Sequence, residues 1–198
     1  ITETQGNFTA PGTLTVSNNA TIKSGTFTTS PTATVSGNLT IVNGTLVAGA
    51  TLNVQGDWVQ GSGATFTPGL NTVNFTGGNA QSIQGTAPSI TFYNLTINKT
   101  AGTAVTHSGS VASVTTNNFT NTQGNYTAPA TLNVNGTYTL TNGTFTSGSN
   151  LNVAGNWSHA TAATFSHNNG IVTFVGGAAQ SLGGTKVSEA FYDLVINK

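Results

Sequence analysis

The chain has 198 residues, a formal net charge of zero and only 4% charged residues, with four Lys and no Arg. So few cations cannot form the basic patch that nucleic acids or anionic membrane surfaces require, and we expect neither partner. No apolar run approaches the roughly 18 residues of a membrane span, so we expect no membrane insertion. Cys and Met are absent, which excludes disulfides and thiolate metal sites and removes the most oxidisable side chains. This composition favours a durable protein located outside the cell or at the cell surface.

The first part of the chain repeats at an interval of 19 residues, as the positions of Gly6, Gly25 and Gly44 show. Each repeat contains three short segments in which apolar and polar residues alternate, the pattern of a strand with one buried face. A fixed period of about 20 with short strands in phase is typical of a solenoid. The sequence therefore predicts an all-β fold, a right-handed parallel β-helix (β-solenoid) with about 19 residues and three short strands per coil.

In such a β-solenoid, equivalent residues of successive coils should lie one above another. We expect two inward rows, one of Phe8, Phe27 and Leu46 and one of Leu14, Ala33 and Leu52. An antiparallel sandwich built from two repeats is the alternative fold, and it would not stack these residues.

A longer block follows these coils and occurs twice in the sequence. It covers 72–99 and returns at 171–198, an offset of 99 residues. The earlier segment 5–11 returns at 123–129 with an offset of 118, and the two offsets differ by one 19-residue coil. We therefore predict one continuous rod that contains a first tandem copy over 1–99, an irregular connecting coil over 100–122, and a second copy, one coil shorter, over 123–198.

The repeated block has the form T-V-x-F-x-G-x-x-x-Q-x-I-x-G, followed by F-Y-N-L-x-I-N. It resembles a repeat unit of very large secreted or surface proteins of bacteria and archaea, β-solenoid fibres or adhesins broadly of the filamentous-haemagglutinin kind. The resemblance implies an extracellular repeat architecture. It transfers no catalytic residue to this chain.

Few residues are suited to catalysis or metal binding. Asp57 and Asp193 are the only aspartates, whereas acid–base chemistry on glycosides needs two carboxylates at a defined separation. The three histidines, His107, His159 and His167, are too widely spaced in the sequence to predict a metal cluster. We expect no enzyme activity, no cofactor and no metal.

Two tryptophans, Trp58 and Trp157, are candidates for stacking on sugars, which would suit a carbohydrate-binding adhesin segment that contacts a surface polysaccharide. Both stand at an alternating inward position of the repeat, 99 residues apart. A core position is the favoured interpretation.

Polar residues at paired positions of successive coils should stack into two columns on one face: Thr13, Thr15, Thr32, Thr34, Thr51 and Asn53. Thr suits strands, and neighbouring hydroxyl groups bond along a ladder, so a structural role explains the columns. The alternative is an ice-binding (antifreeze) β-solenoid, since T-x-T columns resemble those of antifreeze proteins.

Asn-x-Thr sequons are frequent, and in a secreted protein each one is a candidate for N-glycosylation. The positions that we single out are Asn7, Asn38, Asn94 and Asn125. Because Asn and Thr are both abundant, such sequons also arise by chance.

Both ends of the given sequence match interior coils, since 1–5 correspond to 119–123 and 194–198 to 95–99. Open strand edges at such ends are templates for a further strand, and a head-to-tail contact that does not close produces a filament. We therefore expect a structural, non-catalytic subunit or segment of an extracellular fibre or surface filament, with copies of itself as the partner. The expected assembly residues are Ile1, Thr2, Thr4, Leu194 and Ile196.

Overall fold

A computed structural model describes all of residues 1–198. The strands stack in parallel into a β-solenoid of about ten turns, each of roughly 20 residues. The predicted fold class is therefore confirmed. The antiparallel sandwich is wrong, because neighbouring strands pair in parallel throughout. No helix of the chain has the length and apolar character that crossing a lipid bilayer requires.

Three faces surround the core. The first is a nine-stranded sheet of β1 (Thr2–Glu3), β4 (Ala20–Ile22), β7 (Leu39–Ile41), β10 (Trp58–Gln60), β13 (Gln81–Gly85), β16 (Ala104–His107), β19 (Asn125–Thr127), β22 (Gly143–Thr146) and β25 (Ala163–Ser166). The second is a nine-stranded sheet of β3 (Thr13–Val16), β6 (Thr32–Val35), β9 (Thr51–Val54), β12 (Thr72–Phe75), β15 (Asn94–Asn98), β18 (Asn118–Gln123), β21 (Tyr138–Leu140), β24 (Trp157–His159) and β27 (Leu182–Gly184).

The third face is divided between two sheets. The four-stranded sheet consists of β2 (Asn7–Thr9), β5 (Thr26–Thr28), β8 (Thr45–Val47) and β11 (Thr65–Thr67). The six-stranded sheet consists of β14 (Ser89–Thr91), β17 (Ser113–Thr116), β20 (Thr131–Val134), β23 (Asn150–Val153), β26 (Ile171–Phe174) and β28 (Asp193–Ile196).

The register confirms both predicted inward rows: Phe8, Phe27 and Leu46 lie opposite one another in turn, and so do Leu14, Ala33 and Leu52. Phe8 and Leu14 begin these rows and are less buried than the residues below them, because no coil covers their outer side. Phe8 nevertheless stacks on Phe27, with the ring centroids 5.4 Å apart.

One hydrophobic cluster of 38 buried residues runs along the inside of the rod. Several aromatic rings pack against one another in its second half. Tyr138 and Trp157 stack at 4.2 Å, and Phe145 stacks on Phe165 at 5.9 Å. Stacked and edge-on rings bury large apolar areas, so these rows stabilise the second copy.

Glycine is required where the corners of adjacent coils touch. Gly25 has a φ of +76°, and a Cβ atom at this position would collide with the carbonyl oxygen of Gly6 in the coil above. Gly143 repeats the arrangement over Gly124, with a φ of +81°. At Gly25 and Gly143, glycine therefore permits both a left-handed backbone and the close approach of adjacent coils.

The two tandem copies are rotated relative to each other. β12 and β26 carry the same motif, but β12 lies on the second face and β26 lies on the third. The two strands are 14 apart (26 − 12 = 14), and 14 is not a multiple of the three strands in a turn. Equivalent strands of the two copies consequently point in different directions around the axis.

The region between the copies contributes strands to the same sheets. β16 pairs with β13 on one side and with β19 on the other, and β17 pairs with β14 and β20. Hydrogen-bonded ladders therefore continue through 100–122 from one copy to the next.

Candidate functional site: polar faces, buried polar clusters and open end coils

The predicted polar columns lie on the second face in the expected register. Thr13, Thr32 and Thr51 form one column, and Thr15, Thr34 and Asn53 form the other. The register continues both columns through Thr72 and Asn74 to Asn94 and Thr96. The columns are therefore longer than the sequence analysis proposed, but Asn interrupts the Thr pattern.

The side chains of these columns bond to one another. The Asn53 amide donates from Nδ2 to Thr34 Oγ1 at 3.3 Å, and the Asn74 amide donates to Asn53 Oδ1 at 2.9 Å. Asn152 likewise donates to Asn133 Oδ1 at 2.8 Å in the second copy. Such ladders connect successive coils and occupy hydrogen-bonding groups that a ligand would otherwise use.

The four glycosylation candidates differ in how free their amides are. Asn7 is exposed, and Asn38 is exposed although its Oδ1 accepts a bond from the N–H of Asp57 at 2.9 Å. Asn94 is half-buried, where its Oδ1 accepts from Asn118 Nδ2 at 2.9 Å. Asn94 also donates from Nδ2 to Thr72 Oγ1 at 3.4 Å. The remaining candidate, Asn125, donates from Nδ2 to the carbonyl oxygen of Gly102 at 3.4 Å.

Asp57 belongs to a polar ladder at one corner of the rod. Its carboxylate accepts bonds from the N–H of Ser82 at 2.8 Å and from Gln84 Nε2 at 3.0 Å. In the second copy, Asn156 accepts from the N–H of Ser181 at 3.0 Å. The carboxylate thus substitutes for an amide oxygen in a turn.

Both tryptophans lie in the core. Trp58 and Trp157 are almost completely buried and pack edge-on against phenylalanine rings. The prediction of core positions is confirmed, and neither ring is available for stacking on a sugar.

Sequence reasoning missed a buried ammonium group at the end of the first copy of the block. Lys99 Nζ donates to the carbonyl oxygens of Thr76 at 3.1 Å and Asn79 at 2.6 Å, and to Gln81 Oε1. Burial lowers the pKa of Lys99 to about 8, partly offset by the negative charge of Asp57. These bonds hold the long turn after β12 against the rod.

The signal for this cluster is a Gln–Lys pair that recurs with the same spacing in both copies. Gln81 precedes Lys99 by 18 residues, and Gln180 precedes Lys198 by 18 residues. Lys198 Nζ donates to Gln180 Oε1 and to the carbonyl oxygen of Ala178, the latter at 3.0 Å. The pair therefore repeats in structure as well as in sequence.

A second missed cluster joins Glu189 to the interior of the second copy. Glu189 Oε1 accepts bonds from Trp157 Nε1 at 3.0 Å and lies 2.7 Å from Nδ1 of the buried His159. The other ring nitrogen, Nε2, lies 3.0 Å from the carbonyl oxygen of Ala163. Both ring nitrogens of His159 therefore face oxygen atoms, and the ring links Glu189 to the backbone of Ala163. Burial, and then the charge of Glu189, raises the pKa of Tyr138 nearby.

In the first copy, a neutral group accepts the hydrogen bond from the buried tryptophan. Trp58 Nε1 donates to Gln60 Oε1 at 3.2 Å, and the residue at the position of Glu189 is Ile90, since 189 − 90 = 99. The charged cluster is thus specific to the second copy, and only the folded contacts of 185–190 reveal it.

His107 is half-buried beside the first coil of the second copy, with its Nε2 3.3 Å from the hydroxyl oxygen of Tyr126. Its ring packs edge-on against Tyr126 with centroids 5.3 Å apart, and Nδ1 lies 2.9 Å from the carbonyl oxygen of Thr127. Burial lowers the pKa of His107 to about 4, although the bond to Thr127 opposes this shift. Burial also raises the pKa of Tyr126. The three histidines do not meet in a metal site.

The last coil leaves apolar side chains in solvent. Leu194 is 45% exposed and Ile196 is 63% exposed, whereas Leu95 and Ile97, their counterparts 99 residues earlier, are completely buried. We call Leu182, Leu194 and Ile196 the trailing surface. Hollows of about 200 Å³ and 340 Å³ lie beside it.

The first coil is open in the same way. Ile1 is 47% exposed, Thr2 and Thr4 are exposed, and Phe8 and Leu14 are only partly covered. We call Ile1, Phe8 and Leu14 the leading surface. All five residues predicted for self-assembly are therefore exposed, at opposite ends of the rod.

Comparison with known proteins returns no match: no family model, no curated protein and no solved structure is significantly similar to this chain. The resemblance to repeat units of prokaryotic surface proteins therefore stays a prediction.

Proposed function

We propose that this chain is a structural, non-catalytic unit of an extracellular or cell-surface fibre and assembles head to tail with copies of itself. One observation carries the proposal. The two nine-stranded sheets extend in parallel through both tandem copies, so two repeat units are already stacked end to end within this chain. A stack of equivalent coils accepts further coils at its ends, and an open strand edge favours the addition of a strand.

The polar faces support a structural role in preference to recognition of a ligand. Their Asn and Thr side chains bond mainly to each other along the axis, as Asn53 does with Thr34. The neutral surface and the absence of Cys and Met are compatible with a location outside the cell.

Sedimentation velocity and negative-stain microscopy over a wide range of concentration test the proposal. We expect the 198-residue chain to form rods that lengthen with concentration. Ile196→Lys should suppress association, because it places a charge on the trailing surface. Leu70→Lys is the matched control, since Leu70 is 80% exposed in the turn between β11 and β12 on the side of the rod. A chain that stays monomeric at every concentration would exclude head-to-tail assembly.

Ice binding is the second candidate, and the register of the polar columns is the observation that favours it. The Asn interruptions and the bonds within the columns weigh against it. Thermal hysteresis distinguishes the two candidates. Activity that disappears in the double variant Thr15→Tyr plus Thr34→Tyr would favour ice binding, whereas no hysteresis is expected for a fibre unit.

A further inference from the structure

Asn-Gly pairs are positions at which the backbone of this chain can react with a side chain. The glycine nitrogen can attack Cγ of the preceding asparagine, which forms a five-membered succinimide ring and releases ammonia. Glycine permits the attack more readily than other residues because it has no Cβ to hinder the approach. The chain contains four such pairs, which begin at Asn43, Asn135, Asn142 and Asn169.

Among the four, Asn142 is the one whose side chain is directed at the nitrogen of its own glycine. The N–H of Gly143 donates to Asn142 Oδ1 at 2.7 Å. Because a C=O bond is about 1.2 Å long, the Gly143 nitrogen lies within about 4 Å of Asn142 Cγ, close to the separation of about 3–3.5 Å in a near-attack conformer. Asn142 is exposed, so water reaches the site.

In two of the other pairs, a backbone acceptor holds the glycine nitrogen. The N–H of Gly136 donates to the carbonyl oxygen of Asn117 at 2.5 Å, and the N–H of Gly170 donates to that of His167 at 2.8 Å. Neither nitrogen donates to the side chain of the preceding asparagine. We therefore expect both of these asparagines to react slowly while the chain is folded.

The fourth pair is the counterpart of Asn142 in the first copy, since Asn43 lies 99 residues earlier. The side chain of Asn43 lies against the next coil, where a Cβ atom at Gly63 would be 2.6 Å from Asn43 Oδ1. In the second copy Ala162 has the position of Gly63, and the pairing of Gly143 with Ala163 places it beside Asn142. The Cβ of Ala162 thus excludes the placement that Asn43 adopts, and the side chain of Asn142 turns to its own glycine.

We propose that Asn142–Gly143 is a site of spontaneous, non-enzymatic modification and that Ala162 makes it reactive. The Gly143 nitrogen gives its proton to solvent and bonds to Asn142 Cγ. The Cγ–Nδ2 bond breaks, and the side-chain nitrogen takes up a proton and leaves as ammonia. Water then opens the succinimide: attack at Cγ gives aspartate, and attack at the backbone carbonyl carbon gives isoaspartate. Water is the only other reactant.

Both products change the rod at this corner. Each adds one negative charge to a chain whose formal net charge is zero. Isoaspartate also adds one methylene to the backbone next to Gly143, where φ is +81° and the chain packs closely against the carbonyl oxygen of Gly124. Because β22 pairs here with both β19 and β25, isoaspartate should weaken the ladder inside the second copy.

Peptide mapping by mass spectrometry of the folded protein, incubated at neutral pH, measures the reaction at all four pairs. We expect Asn142 to be modified at least about tenfold faster than Asn43, because its reacting atoms are already close together. The chain unfolded in guanidinium chloride is the control. The two sites have similar neighbours, Val42–Leu46 and Thr141–Phe145, so they should react at similar rates once unfolded. Equal rates in the folded chain would overturn the proposal.

Reciprocal substitutions test the role of Ala162. Ala162→Gly should allow Asn142 the placement of Asn43 and slow its modification by about tenfold, whereas Gly63→Ala should displace the Asn43 side chain and accelerate its modification. Gly63 and Ala162 are both exposed, so neither substitution removes a core contact, and circular dichroism confirms folding of each variant. Unchanged rates in both variants would overturn the role of Ala162.

Discussion

Leu95 and Leu194 occupy the same position of the repeated block, yet Leu95 is completely buried and Leu194 is 45% exposed. The difference comes from the next coil, because β18 covers Leu95, whereas no other strand of residues 1–198 pairs with β28 beyond β26. Position in the stack, and not the local sequence, therefore determines how much each residue contributes to stability.

Replacement of these two leucines measures that contribution. Leu95→Ala should lower the free energy of unfolding by about 2–5 kcal/mol, because it leaves a cavity in the core. Leu194→Ala should cost less than about 1 kcal/mol in dilute protein, because half of the side chain is already in solvent. Urea unfolding followed by circular dichroism provides the comparison. Equal losses for the two variants would contradict the assignment of Leu194 to an open coil.

The corner glycines give a second matched pair. Gly143→Ala should lower the free energy of unfolding by at least about 2 kcal/mol, because φ is +81° and a Cβ would collide with the carbonyl oxygen of Gly124. Gly177→Ala should have almost no effect, since no atom lies within 4 Å of the added Cβ. Thermal unfolding of both variants tests the difference. A Gly143→Ala protein as stable as the parent would mean that the corners are not in close contact.

The charged cluster of the second copy should be replaceable by the neutral arrangement of the first. Glu189→Ile leaves His159 and Trp157 without their acceptor and should cost about 1–3 kcal/mol. Adding His159→Gln to Glu189→Ile should recover most of this loss, because Gln60 already accepts the Trp58 bond in the first copy. A double-mutant cycle by urea unfolding measures the recovery. Strictly additive losses would argue against coupling between His159 and Glu189.

His107 should make the protein less stable in acid. Its pKa is about 4 when folded and 6.5 in its ordinary state, so below pH 6.5 the unfolded chain binds a proton that the folded chain does not. The free energy of unfolding should therefore fall by up to about 3 kcal/mol as the pH decreases from 6.5 to 4. Above pH 6.5, His107 should not make the free energy of unfolding depend on pH. Below pH 4, the loss of stability that it causes should be complete and constant.

Variants isolate this contribution from that of other titrating groups. His107→Gln should reduce the slope of stability against pH between 4 and 6.5, whereas His167→Gln, which alters a ring stacked on Tyr192 near the surface, should leave it almost unchanged. Urea midpoints measured at half-unit pH steps provide the slopes. The same slope in His107→Gln as in the parent would show that another group is responsible.

The 19-residue period was sufficient to predict the parallel fold and the inward rows, because a strand pattern that recurs in phase can stack in only a few ways. The rotation between the copies was not predictable, since the number of strands in the irregular 100–122 segment depends on how it folds. Lys99 was missed because a charged residue at a strand end is usually solvated. Glu189 was missed because His159 and Trp157 lie about one and a half coils earlier in the chain.

The rotation between the copies has a consequence for anything that holds the rod from the side. β12 and β26 carry the same motif on two different faces. A planar partner that contacts the motif in the first copy therefore faces a different sheet in the second copy. A partner can bind the motif in both copies only if it follows the surface of the rod around its axis. A planar partner that binds this motif from the side can therefore contact it in only one of the two copies of a given rod.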